Sequence, residues 1–281
     1  VTGRTKAVVA AGVAVLFAIP GVPWLLGIRK VPADAEPFDV AEAFPYHEWE
    51  AILGRFVGRD GAVDYPALAA DDGDLRRFVA TLAVAGPTTR PDLFPTEADA
   101  FAWHINAYNA VTLLGIVAHW PNAGVHDISG PLNPKDGFGF FYGLRFLLDG
   151  RWTNTYDLEN TAMRPVFKDA RLHAAINCAS ASCPRLSRNA YVPDRLDEQL
   201  QRAAAEFASI RPHVAFDEDA RVVRLSRIFE WFPGDFEGGV LPWIKAHARP
   251  SIQVLASRAV VEKWPIEYVD YDWSLNRKQE P

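Results

Sequence analysis

The stretch Phe140-Phe141-Tyr142-Gly143-Leu144-Arg145-Phe146-Leu147-Leu148-Asp149-Gly150-Arg151-Trp152-Thr153 reads as two strands joined by a tight turn. Polar and apolar side chains alternate moderately up to Asp149, Asp-Gly is a turn signal, and Arg-Trp-Thr resumes the extended pattern. Outward from this hairpin, apolar residues recur at helical spacing over residues 46–57, 73–84, 99–120 and 194–210. Pro193 followed by Asp194 gives the last of these a start with an acidic first turn, and Pro121 stops the long helix before it. Further strands are expected at 171–178 and at 221–225, the latter after an Asp217-Glu218-Asp219 turn. Helices and strands alternate without a regular βαβ rhythm, so the expected class is α+β, a single mixed helix and sheet domain.

An apolar content of 49% with 12% aromatics supplies a core and excludes disorder for most of the 281 residues. The formal charge is −6, and the four charges within residues 1–30 are all basic (Arg4, Lys6, Arg29, Lys30), so the remainder is the more acidic part. No basic run is present, which argues against a nucleic-acid partner. Residues 7–28 carry no charge and as a helix would be about 33 Å long, enough to cross a bilayer. Two readings of this segment stand side by side. Residues 7–19 form an h-region and Ala33-Asp34-Ala35 has the small-x-small form of a cleavage site, whereas Arg29 and Lys30 suit an uncleaved anchor. Either places residues 36–281, the globular part, in the cell envelope, periplasmic, secreted or tethered.

The chemistry concentrates in His173-Ala-Ala-Ile-Asn177-Cys178-Ala-Ser180-Ala-Ser182-Cys183-Pro184, which holds both cysteines of the chain. A thiolate nucleophile needs a nearby cation, an imidazole or a helix N-terminus. Pro184 suits a first helical position, which would put Cys183 at such a terminus. On a regular strand His173 and Cys178 would project to opposite faces, with His173 and Asn177 sharing one. In an exported protein the same two cysteines can instead form a disulfide, and a bridged pair would leave no nucleophile. Inert buried thiols are a further reading, and a metal site from His173, Cys178 and Cys183 matches no common zinc spacing.

Two more clusters accompany it. In Trp103-His104-Ile-Asn106-Ala-Tyr108-Asn109, two asparagines within a helix call for partners, either neighbouring backbone or a ligand. In Asn154-Thr-Tyr-Asp157-Leu-Glu159-Asn160, followed by Arg164-Pro165, Asn154 caps a short helix, and Glu159 either pairs with Arg164 or orients His173. The Asp- and aromatic-rich segments 231–243 and 268–273 are expected mainly as packing, with the option of lining a cleft.

These motifs, together with Leu225-Ser226-Arg-Ile-Phe229-Glu-Trp231 and Tyr271-Asp272-Trp273-Ser-Leu275-Asn276, resemble in order and spacing the family called domain of unknown function 547, over about residues 64–276. The resemblance implies one domain, found in exported bacterial proteins and at the C-terminus of plant proteins with a leucine-zipper region, and it supplies no reaction. It brings with it an expected distant similarity to papain and transglutaminase-like thiol enzymes. His104 departs from the family, which more often has Trp there.

The expected function is a thiol-dependent hydrolase or acyl transferase acting on a small molecule or peptide. Cys178 is its nucleophile, His173 its base and Glu159 its orienting acid, with Asn106, Asn109, Asn177, Arg164 and Cys183 as binding residues. The alternatives are a non-catalytic binding or assembly module with a structural disulfide, and a metal-dependent hydrolase. No cofactor fingerprint such as a Gly-rich phosphate loop occurs, so no cofactor is expected.

Overall fold

Thr96 starts the helix that organises the fold. Its hydroxyl accepts the backbone N–H of Asp99 while the Asp99 carboxylate accepts that of Thr96, a capping box at the head of 21 residues. The structure is a computed structural model and describes residues 28–128 and 139–279. The apolar segment 7–28 lies outside the described residues apart from Ile28, and among the described residues no helix is long and apolar enough to cross a membrane.

In chain order the elements begin with strand β1 (Arg29–Lys30) and helices α1 (Tyr46–Phe56), α2 (Tyr65–Ala70), α3 (Gly73–Val84) and α4 (Glu97–Val117). The hairpin β2 (Leu144–Leu148) and β3 (Arg151–Thr153) follows. Next come α5 (Thr155–Asp157), widened turns over Leu158–Met163, α6 (Arg164–Phe167) and α7 (Leu172–Ala175). The last part holds α8 (Leu196–Phe207), β4 (Val214–Asp217), β5 (Val222–Leu225), α9 (Arg227–Trp231), α10 (Val240–His247), α11 (Pro250–Glu262) and β6 (Ile266–Tyr268). The mixed α+β class expected from the sequence is what the chain adopts.

The hairpin forms where the Asp-Gly pair marked it. Asp149 and Gly150 both take positive φ, 49° and 76°, and the strands pair antiparallel with Leu148 opposite Arg151. β1 joins the same sheet parallel to β2. A second sheet has the order β4-β5-β6, with β4 antiparallel and β6 parallel to β5.

From Phe101 to Val117 every residue of α4 except His104 is buried, because α2, α3, β2, the turns at Leu158–Met163 and the turn Pro193–Arg195 surround it. Gly115 permits the closest of these approaches, since a Cβ there would sit 3.0 Å from the Phe140 ring. A second core gathers Phe207, Val223, Phe229, Trp243 and Ile244 from α8, β5, α9 and α10. The C-terminal tail returns across the first core. Ser274 pairs with Gly124, Leu275 with Ser180, and Arg277 with Val63.

Three local expectations need correction. Residues 139–143 form a wide helical turn, so the first strand of the hairpin begins only at Leu144. Residues 171–178 are not one strand: 172–175 form the short helix α7, and the chain extends only from Ile176. Asp169 accepts the Arg171 N–H and so starts a turn, which removes the opposite-faces argument for His173 and Cys178. Nor does a helix start at Pro184, so Cys183 has no helix N-terminus to lower its thiol pKa.

Candidate functional site

Asn154 positions the acidic side of the site. Its side chain accepts the Asp157 N–H at 2.6 Å, and the helical stretch it caps delivers Glu159 and Arg164. The expected Glu159–Arg164 pair does not form as the principal contact. Arg164 grips Asp235 with two nitrogens, at 2.5 and 3.0 Å, and reaches Asn160 with a third. Glu159 takes a hydrogen bond from the Tyr108 hydroxyl instead, and burial pushes its carboxyl above the usual carboxylate range.

His173 is buried on α7 between two carboxylates. Its Nε2 lies 2.7 Å from Asp235 Oδ2, while Nδ1 is 3.9 Å from Glu159 Oε1, beyond hydrogen-bond range. The acid that orients this imidazole is therefore Asp235, from the turn Pro233–Asp235, and not Glu159. The hydrogen bond from His173 and the Arg164 guanidinium together hold Asp235 well below the usual carboxylate range. Phe232 stacks on the His173 ring at 4.5 Å and carries the Arg164 guanidinium over its face at 4.3 Å.

Cys178 and Cys183 are joined in a disulfide, and neither is a free thiol. The bridge closes a tight loop in which Ala179 has the left-handed φ of 67°. Asn177 stabilises this loop from within, accepting the Ala179 N–H at 2.8 Å and donating to the Pro184 carbonyl at 2.7 Å. Asn109 in turn accepts the Asn177 N–H and donates to the Ala175 carbonyl. Asn106 does the same for the Tyr191 backbone, at 2.7 and 3.0 Å. These three asparagines hold loops by buried backbone hydrogen bonds. His104 bonds the Ala100 carbonyl and packs on Trp103 and Phe167, away from the site.

Glu159, His173 and both cysteines meet at one cavity of about 230 Å³. Its walls are mostly aromatic, with Tyr108 from α4, Tyr156 from α5, Trp231 at the end of α9, and Tyr271 and Trp273 from the C-terminal tail. Tyr271 places its hydroxyl 3.3 Å from Cys183 Sγ and 3.1 Å from Ser180 Oγ. The tail is fixed there because Ala181 N–H donates to Ser274 O and Asn276 N–H to Ala179 O. A larger open groove of about 1030 Å³, lined by Asp60, Asn177, Arg185 and Asp272, shares Cys183 and Pro184 as wall residues with the cavity. Among the described residues no three His, Cys, Asp or Glu side chains converge as metal ligands.

Asp235, Tyr108 and the rings of Trp231 and Trp273 escaped the list of site residues drawn from the sequence. The signal that could have found Asp235, Trp231 and Trp273 was the Asp- and aromatic-rich composition of the segments at 231–243 and 268–273, and Tyr108 stood between Asn106 and Asn109 in the helix motif.

Fold and site together define an α+β protein with a histidine–carboxylate cluster at an aromatic cavity closed on one side by a disulfide loop. Residues 94–208 match the model of the family described as "Protein of unknown function, DUF547", which bears out the resemblance drawn from the motifs. The motifs at 225–231 and 271–276, including three of the cavity's aromatic walls, lie beyond the matched span. No curated protein and no solved structure matches the chain.

Proposed function

We propose that the chain is a ligand-binding module of the cell envelope whose cysteines serve as a structural bridge. One observation carries this reading: Cys178 sulfur is bonded to Cys183, and both ring nitrogens of His173 face carboxylates. A thiolate and imidazole pair needs one ring nitrogen directed at the sulfur and the other at an acid. Disulfides persist in oxidising compartments, and together with the uncharged segment at 7–28 this supports export or anchoring beyond the cytosol. The Cys178→Ala/Cys183→Ala double variant tests the bridge. It is expected to lose about 2 kcal/mol of stability in urea unfolding, the loop-closure value for so short a ring, while ligand binding survives. Unchanged stability would count against a structural bridge.

The gathering of Cys178, His173 and Glu159 at one cavity favours a second reading, thiol-dependent hydrolysis or acyl transfer after the bridge is reduced. Similarity to papain and transglutaminase-like enzymes belongs to this reading. Cys178 is only half buried, so its sulfur is accessible from the cavity once freed. Under it, the reduced protein alkylates selectively at Cys178 at neutral pH, and His173→Ala slows that reaction. Equal, slow labelling of both cysteines, unaffected by His173→Ala, would remove it.

A further inference from the structure

The geometry points to an alkylated ammonium group, of the choline or methylated-amine type, as the ligand of the aromatic cavity. This rests on the binding-module reading. At about 230 Å³ the space falls below the ~300 Å³ at which pockets for whole small molecules begin, so it takes a single head group and leaves the rest of the ligand outside.

The walls suit a cation. Tyr142 and Tyr156 stack at 4.1 Å, Trp231 lies 4.8 Å from Tyr271 and 5.6 Å from Trp273, and Tyr142, Tyr156 and Trp231 remain partly exposed. Ring faces are the negative part of the aromatic quadrupole, and several rings around one small space attract a positive group that has shed its water. A sugar of similar size would need partners for each hydroxyl, and the lining offers mainly ring carbon.

The lining also holds one carboxyl in need of a counter-charge. Glu159 keeps 14% of its side-chain surface and receives the Tyr108 hydroxyl from α4. The charges of His173 and Arg164 offset its burial only in part, and their hydrogen bonds go elsewhere. The Arg164 guanidinium is bonded to Asp235 and Asn160, and the His173 hydrogen bond goes to Asp235. Tyr142 and Tyr271 face Glu159 as neutral phenols, each pushed up by burial. Burial disfavours the Glu159 carboxylate, and an ammonium group seated among the rings restores it. Affinity therefore falls as the pH drops and the Glu159 carboxylate takes up its proton.

Calorimetric titration of the oxidised full chain tests this with choline, its uncharged isostere 3,3-dimethylbutan-1-ol, and N-acetylglucosamine oligomers. Choline should saturate one site, the isostere should bind at least about tenfold more weakly, and both Glu159→Gln and Trp231→Ala should weaken choline by about tenfold. Phosphatidylcholine against phosphatidylglycerol vesicles distinguishes a lipid head group from a free cation as the source. Equal affinity for choline and the isostere, or no saturation by choline, overturns the inference. Saturation by the saccharide alone would overturn it and leave the binding module standing. Rapid selective alkylation of Cys178 with no ligand bound would remove both.

Discussion

Glu159 and Asp235 are two carboxyls on either side of one imidazole, and their surroundings push them in opposite directions. Asp235 accepts from His173 and from two guanidinium nitrogens, so it stays ionised. Glu159 has lost water, and the nearby His173 and Arg164 charges and the Tyr108 hydroxyl offset that loss only in part, so its proton is held more tightly than in an ordinary glutamate. A folded-state pKa raised above the unfolded one gives stability that is fully present below the unfolded value, about 4.3, and is lost as the pH rises through the folded value. Glu159→Gln should therefore melt above the wild type at pH 8, with the gap closing below about pH 4. A variant that melts lower at pH 8 would show that the charged form is well compensated. Stability given up at one polar residue in a cavity is the usual sign of a group kept for binding. The sequence identified His173 and Glu159 by residue type and left out Asp235, because the partner of a buried histidine 62 positions away is chosen by packing and no local pattern encodes it.

At the scale of elements, the site depends on short pieces fastened by side chains. Asn154 caps the stretch that presents Glu159, and Asn154→Ala should cost about 1 kcal/mol in urea unfolding and weaken cavity binding, since the cap fixes where that stretch begins. The same loss of about 1 kcal/mol with unchanged binding would separate the cap from the site. The hairpin and the cap were both legible because their chemistry lies within three or four residues: Asp-Gly in one, Asn154 with Asp157 in the other. Helix α3 ran where its periodicity placed it, over Gly73–Val84. The four-residue α7 was not legible. Leu-His-Ala-Ala has no pattern that decides between strand and helix, and the choice falls to Asp169 at its start and to Asn109 of α4, which grips Ala175 and Asn177 from 66 and 68 positions away.

Across the whole molecule, the cavity sits where the two cores meet. Tyr108, Phe141 and Ile176 come to it from the first, and Ile228, Phe232 and Tyr271 from the second. The tail crosses last, bringing Tyr271 and Trp273 and binding the disulfide loop to the Val63 and Ala123 backbones. Periodicity was enough to state a mixed fold, and composition a real core. Neither could show that six distant segments share one cavity, because that convergence is a property of the assembled layers. The disulfide is where the alternatives divide, since a bridge makes the loop a wall and a thiol makes it a reactant. The most direct test is the intact mass of the protein isolated without reductant and exposed to iodoacetamide at neutral pH, native and unfolded. With the bridge in place no adduct forms in either state, and two form after reduction. An adduct on Cys178 in the native, unreduced protein would contradict it.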